Sequence, residues 1–266
     1  MTNNQLPYNN SVLQYSIGGQ GNTVILLHGF AEDSSIWEDF AKQLSSQYNV
    51  IVPDIPGSGK TILLPGSQIG LEDYAECIHF ILAKENIEKC CMIGHSLGGY
   101  ITLAFAEKYP DMLEGIGLFH SSAYADDEQK KETRKKAIQF IKEKGSNSFL
   151  KTSIPGLFAD EIKSKAAIEH LIEHGKQFLP EALIQYYQAM INRPDRTSIL
   201  KRTSTPVLFI MGQHDKAVPF EHSLQQSYLP IESHIYILRH SAHMGMLEEN
   251  EKSFNSLAHF LHSVYV

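Results

Sequence analysis

The chain has 266 residues, 42% of them hydrophobic, and 23 Lys and Arg against 30 Asp and Glu give a formal net charge of −7. That length suits one large α/β domain able to bury a substantial core, with room for an insertion. The acidic balance argues against a nucleic-acid partner or an anionic membrane surface, and no apolar run reaches the ~18–20 residues of a membrane span.

Met1-Thr-Asn-Asn-Gln-Leu-Pro7 lacks the basic start and apolar centre of a signal peptide, so the expected location is cytoplasmic. Residues 11–18 alternate like a strand, and residues 18–22, rich in glycine, read as a turn. Residues 23–27 form a short, wholly apolar run, as in a strand covered on both faces. After His28-Gly29-Phe30, Asp33-Ser34-Ser35 is placed to cap a helix over 36–44. Residues 49–54 are the next strand, closed by Ile55-Pro56-Gly57-Ser58-Gly59, and 71–85 reads as a helix. Residues 88–93 form a strand, and 100–108 carry a helical pattern. Cys77, Cys90 and Cys91 offer no disulfide framework; the adjacent pair faces opposite ways on its strand, as small core residues of a reducing compartment.

A strand at 113–119 follows, and then the alternation breaks. Residues 124–202 hold several helical segments and no strand, too long for an ordinary loop. Alternation resumes with a strand at 205–211, a helix at 219–228, a strand at 233–238 and a final helix at 248–264. This order predicts a mostly parallel sheet with helices on both faces, built from 1–123 and 203–266, with 124–202 inserted as a helical lid.

The stretch Cys90-Cys-Met-Ile-Gly94-His95-Ser96-Leu97-Gly98-Gly-Tyr100 reads as strand, sharp turn and helix, and Gly94 to Gly98 fits G-x-S-x-G. A serine at such a tip takes a strained, positive-φ backbone, and flanking glycines let strand and helix approach closely. The following helix aims its N-terminus at the space over the serine, where negative charge would develop. In an open parallel sheet ligands bind beyond the carboxyl ends of the strands, and His28, Ser96, Asp215 and His243 all fall there. A hydroxyl at its free pKa is a poor nucleophile, so Ser96 needs a base, and the base needs an acid to orient it.

Five ordered motifs carry a family resemblance: His28-Gly29-Phe30 with Trp37; Pro53 to Gly59; the serine turn; Gly212-Gln213-His214-Asp215; and Ala242-His243-Met244 with Leu247-Glu248-Glu249. On these the chain resembles the α/β-hydrolase fold family, in its lidded, single-domain, esterase-like branch, over almost its whole length. The resemblance implies Ser96 as nucleophile, His243 as general base and then acid, and Asp215 as orienting carboxylate. It implies an oxyanion hole from the backbone amides of Phe30 and Leu97, with His28 bracing that loop. The implied activity is hydrolysis of a small carboxylic ester or related acyl compound, with no metal or organic cofactor. Within the fold the alternatives are carbon–carbon bond hydrolases, lactonases, thioesterases, perhydrolases, aminopeptidases and the menaquinone-pathway synthase; outside enzymes it is a small-molecule receptor. Ser96, in place of a carboxylate nucleophile, argues against dehalogenase and epoxide hydrolase chemistry. The chain departs from the family pattern at Lys60-Thr61, where a small hydroxyl residue is frequent, and at His240-Ser-Ala ahead of His243, where Pro-Gly is common.

Several residues admit a plainer reading. Asp215 also suits a loop or helix cap, which would leave another acid, with Asp126 a distant candidate, to serve His243. His240 lies close to His243 in sequence. Asp54 reads as a turn-former or a pocket wall. Gly57-Ser-Gly-Lys-Thr61 resembles the end of a phosphate loop, but Asp54 stands where its first glycine belongs. His170-Leu-Ile-Glu-His174 fits H-x-x-E-H without an obvious third metal ligand. Lys130 to Lys136 is mixed in sign and reads as a solvated lid face. Phe149, Phe158, Tyr186, Tyr187 and Met190 suit either an acyl pocket or packing onto the sheet.

Overall fold

Apolar runs become interior strands, and the alternating run at 11–18 becomes a strand one place in from the sheet's edge. In the computed structural model, which describes residues 1–266, the chain-order strands are β1 (Thr2–Tyr8), β2 (Ser11–Gly18), β3 (Thr23–Leu27), β4 (Asn49–Pro53), β5 (Cys90–His95), β6 (Leu113–Phe119), β7 (Val207–Gly212) and β8 (Ser233–Leu238). They form one sheet in the order β1-β2-β4-β3-β5-β6-β7-β8. The first two pairings, β1 with β2 and β2 with β4, are antiparallel, and the rest are parallel. Every residue of β3, β5 and β7 is buried, as covering helices on both faces require.

Helices α1 (Glu38–Leu44), α2 (Leu71–Lys84) and α3 (Leu97–Lys108) link the first parallel strands, α8 (Phe220–Gln226) links the last two, and α9 (Gly245–Glu248) and α10 (Asn250–Tyr265) follow the final strand. α3 is buried from Leu97 to Ala106, so it is apolar all round rather than amphipathic. Between β6 and β7 lie α4 (Glu128–Ser153), α5 (Lys165–Gly175), α6 (Pro180–Asn192) and α7 (Thr197–Arg202), the predicted helical insertion. Polar contacts seat α6 on the sheet layers: Tyr186 donates to the Pro56 carbonyl at 2.9 Å and Gln185 accepts from the Tyr74 hydroxyl at 3.0 Å.

The structure adds a strand that patterning misses. β1 is Thr-Asn-Asn-Gln-Leu-Pro-Tyr, with Leu6 its single buried residue. A polar edge strand has almost no burial signature and is held by its ladder to β2, with Leu6 opposite Leu13. The first helix begins with a 3₁₀ turn at Ser34–Trp37, capped by the Asp33 carboxylate accepting from the Ser35 amide at 2.9 Å. The final helix predicted over 248–264 is α10, and the short α9 precedes it, separated from it at Glu249.

Candidate active site

Ser96 joins β5 to α3 with φ 50 and ψ −111, a conformation non-glycine residues avoid and which costs about 1–3 kcal/mol. The neighbouring glycines are sterically required. A Cβ on Gly94 would lie 2.1 Å from the Gly98 carbonyl carbon, and one on Gly98 would lie 2.5 Å from the Leu27 carbonyl oxygen. Bonds from the Ser96 amide to the Phe119 carbonyl at 3.0 Å, and from the Ser121 hydroxyl to the Ser96 carbonyl at 2.7 Å, hold the turn.

Asp215 and His243 come together from the ends of the segments after β7 and β8. Asp215 Oδ2 accepts from His243 Nδ1 at 2.8 Å, and Oδ1 accepts the amides of Ala217 and Val218 at 2.8 and 2.9 Å. The plainer cap reading of Asp215 therefore describes one oxygen, and the histidine partnership describes the other. Burial pushes the Asp215 carboxyl up, but the charge of His243 and the bonds to His120 and His243 outweigh it and hold the group well below its usual range. His243 Nε2 makes no hydrogen bond within the protein, and neither does Ser96 Oγ; both residues line one cavity of about 680 Å³. His240 is exposed, and its amide is bound by Glu249 Oε2 at 2.8 Å. Asp126 lines the same cavity but is paired with Arg134 and Arg193 rather than with His243.

Phe30 lines the same cavity, and Leu97 opens α3 beneath it. No backbone or side-chain acceptor in the protein occupies either amide. His28 braces the Phe30 loop: its Nε2 accepts from the Ile55 amide at 2.9 Å, and its Nδ1 lies 2.9 Å from the Gly29 carbonyl. Asp54 is a turn-former, accepting from the amides of Ser34 at 2.9 Å and Lys60 at 3.1 Å. His174 is bound to Asp33 and Gln177.

Three residues that sequence reasoning passed over tie these loops together. Buried Glu32 accepts from the Gly29 amide at 2.6 Å and from His95 Nδ1 at 2.9 Å. His95 Nε2 lies 3.0 Å from the His243 carbonyl oxygen. Both His95 partners are acceptors, so the ring donates from both nitrogens and is an imidazolium. Burial alone would lower its pKa, but the Glu32 carboxylate raises it; Glu32 is lowered in turn by His95, against its own burial. The pair spans the Phe30 loop, the serine turn and the His243 loop. His120, at φ 47, lies with Nδ1 3.4 Å from Asp215 Oδ2, while its Nε2 accepts from the Gly245 amide at 3.2 Å. Burial lowers its pKa to about 4, so the ring is neutral. The position of His95 inside the serine motif was the one available signal; His120 and Glu32 carry none.

The structure corrects one expectation about the insertion. Lys130 and Arg134 line the cavity, whereas Lys131 and Lys135 turn outward to Glu128 and Glu132. Residues four apart on a helix share a face, and a charge run does not say whether that face meets bulk water or a cleft. Of the five apolar lid candidates, Tyr187 and Met190 line the cavity, whereas Phe149, Phe158 and Tyr186 are buried in packing.

The fold is shared with known proteins. A sequence model of the α/β hydrolase fold matches residues 22–118. An esterase from Thermogutta terrifontis, solved with malate bound, superposes with a TM-score of 0.93 at 26% identity, over 100% of both chains. The chain has the α/β-hydrolase fold. A relative in sequence, the 2-hydroxy-6-oxo-6-phenylhexa-2,4-dienoate hydrolase of Comamonas testosteroni, is 25% identical over 272 residues, covering 93% of this chain and 90% of the relative. The match to an uncharacterized protein of Mycobacterium tuberculosis is 28% identical over 113 residues and spans 33% of that relative's length. Esterases and other hydrolases of this fold thus surround the chain. No helix is long and apolar enough to cross a membrane.

Proposed function

We propose that this α/β-hydrolase-fold protein is a carboxylesterase-like serine hydrolase of small acyl compounds, working through an acyl-enzyme on Ser96. The observation that supports it most is the 2.8 Å bond between Asp215 and His243, which leaves Nε2 free in the cavity that Ser96 lines. In this reading Nε2 takes the Ser96 proton as Oγ attacks the substrate carbonyl. The free amides of Phe30 and Leu97 bind the oxyanion, each worth about 10²–10³ in kcat by analogy with other such donors. His243 then protonates the leaving group, the alcohol departs, and water deprotonated by the same ring releases the acid. Asp215 holds the ring in the required tautomer and stabilises the imidazolium. The helices of 124–202 serve as the lid, since they supply Tyr187 and Met190 to the cavity wall. Three buried free thiols suit a reducing, cytoplasmic setting.

A panel of p-nitrophenyl esters, lactones, acyl-CoAs and amides tests this directly. Ester turnover that falls by about 10⁴–10⁶ in kcat on Ser96→Ala is the expected result. Near-normal turnover by that variant removes Ser96 from the mechanism, and tight ligand binding without turnover in the wild type favours a receptor.

A further inference from the structure

The cavity carries charge that cleaving a neutral ester does not require. Lys130, Arg134 and Arg193 all line it alongside Ser96. The two arginines share one buried carboxylate: Asp126 accepts from Arg134 Nε at 2.6 Å and lies 2.9 Å from Arg193 Nη2. Arg193 is spent on structure, since it also donates to the carbonyls of Met190 and Tyr124 and lies with Cζ 4.0 Å from the centre of the Tyr100 ring. Arg134 is not: Asp126 is its one hydrogen-bonded partner, and its guanidinium lies 5.5 Å from the centre of the Tyr187 ring. Lys130 Nζ meets the Ala217 carbonyl at 2.8 Å and no carboxylate.

The other charged groups on the cavity do not cancel this surplus. Glu32 is matched by His95. Asp127 is exposed and caps α4 through the Lys130 amide at 2.7 Å. Lys216 adds a further cation. Tyr100, one turn of α3 beyond Ser96, registers the field. Burial alone would push its phenol up, yet Arg193, Lys130 and Arg134 bring it below its ordinary value. A shielded cation without a counter-charge is costly, and an anionic occupant relieves that cost.

We propose that Arg134 and Lys130 form a carboxylate subsite, so that the substrates are esters bearing a second, ionised carboxylate. This rests on the serine hydrolase reading above and narrows it. The guanidinium and ammonium bind the carboxylate, the Tyr100 hydroxyl is a further donor in the same wall, and the neutral ester carbonyl is left for Ser96. A phosphoryl group offers similar oxygens with more charge, and the experiment separates the two.

The test compares kcat/KM for the monomethyl esters of succinate, glutarate and adipate, their neutral terminal-amide isosteres, and the matching terminal phosphonates. The carboxylate esters are expected to exceed the amides by about tenfold or more, chiefly through KM, because charge-assisted hydrogen bonds are the stronger kind. The ratio should shrink with added salt and fall toward one in Arg134→Gln. That variant leaves Asp126 short of a partner and can fail to fold; Lys130→Met breaks no ion pair and should lower the ratio on its own. Amides cleaved as well as carboxylates at every length, or a ratio unmoved in both variants, overturns the subsite while leaving the hydrolase reading intact. Phosphonates favoured over carboxylates overturn the choice of anion. No cleavage of any ester, with no labelling of Ser96 by a fluorophosphonate, overturns the hydrolase reading itself.

Discussion

Single side chains carry most of what the cavity can do chemically. Ser96, Asp215 and His243 were legible in the sequence because each sits in a short motif whose spacing encodes a turn at a strand end. Glu32 and His120 were not, because their importance lies in contacts between segments far apart in the chain: Glu32 meets His95 across 63 positions and His120 approaches Asp215 across 95. The contrast between two nearby histidines gives one prediction. His243→Ala should cost several orders of magnitude in kcat, and His240→Ala, altering an exposed side chain, should cost less than about threefold; steady-state ester hydrolysis checks both. The Glu32–His95 pair gives another. Glu32 is lowered on folding and His95 raised. Glu32 therefore contributes stability that is present above its unfolded value, about 4.5, and lost as pH falls through its lower folded value. His95 contributes stability present below about 6.5 and lost as pH rises through its raised folded value. The difference in unfolding free energy between wild type and Glu32→Gln should form a plateau between those limits, on the order of 3 kcal/mol. It should decline on both sides; a difference independent of pH in urea titrations would show that the pair is not ionised.

Elements were read well where apolar runs were long and poorly where they were polar. The buried strands β3, β5 and β7 declare themselves, whereas β1 buries a single side chain and is recognisable only from its partner. Helix α4 shows a further limit. Gly145 breaks it at φ 80, ψ 166, a region nearly closed to other residues, and the sequence pattern runs across the break without a signal. A Cβ there would meet nothing within 4 Å, so the constraint is wholly one of backbone conformation. Gly145→Ala should destabilise the protein by about 1–3 kcal/mol. Because Arg134 lies in the first half of the same helix, a straightened α4 would also displace the charged wall. Chemical denaturation measures the first effect, and an unchanged midpoint would show that the kink costs an alanine nothing.

At the scale of the molecule, the insertion between β6 and β7 and the sheet's carboxyl edge jointly build the cavity. The sheet supplies Ser96 and His243, fixed by motifs, and the insertion supplies Tyr187, Met190, Arg134 and Lys130. The second set was unreadable in advance because a helix face shows its residue types in sequence but not what it will be packed against. In the proposed reading, catalytic chemistry and substrate choice are written in different parts of the chain. The most direct measurement is the intact mass of the protein quenched during turnover of a p-nitrophenyl ester, followed by peptide mapping. One acyl group on Ser96, absent from Ser96→Ala, is the predicted result. Turnover with no adduct under conditions where deacylation is slowed, or an adduct on a residue other than Ser96, would contradict it.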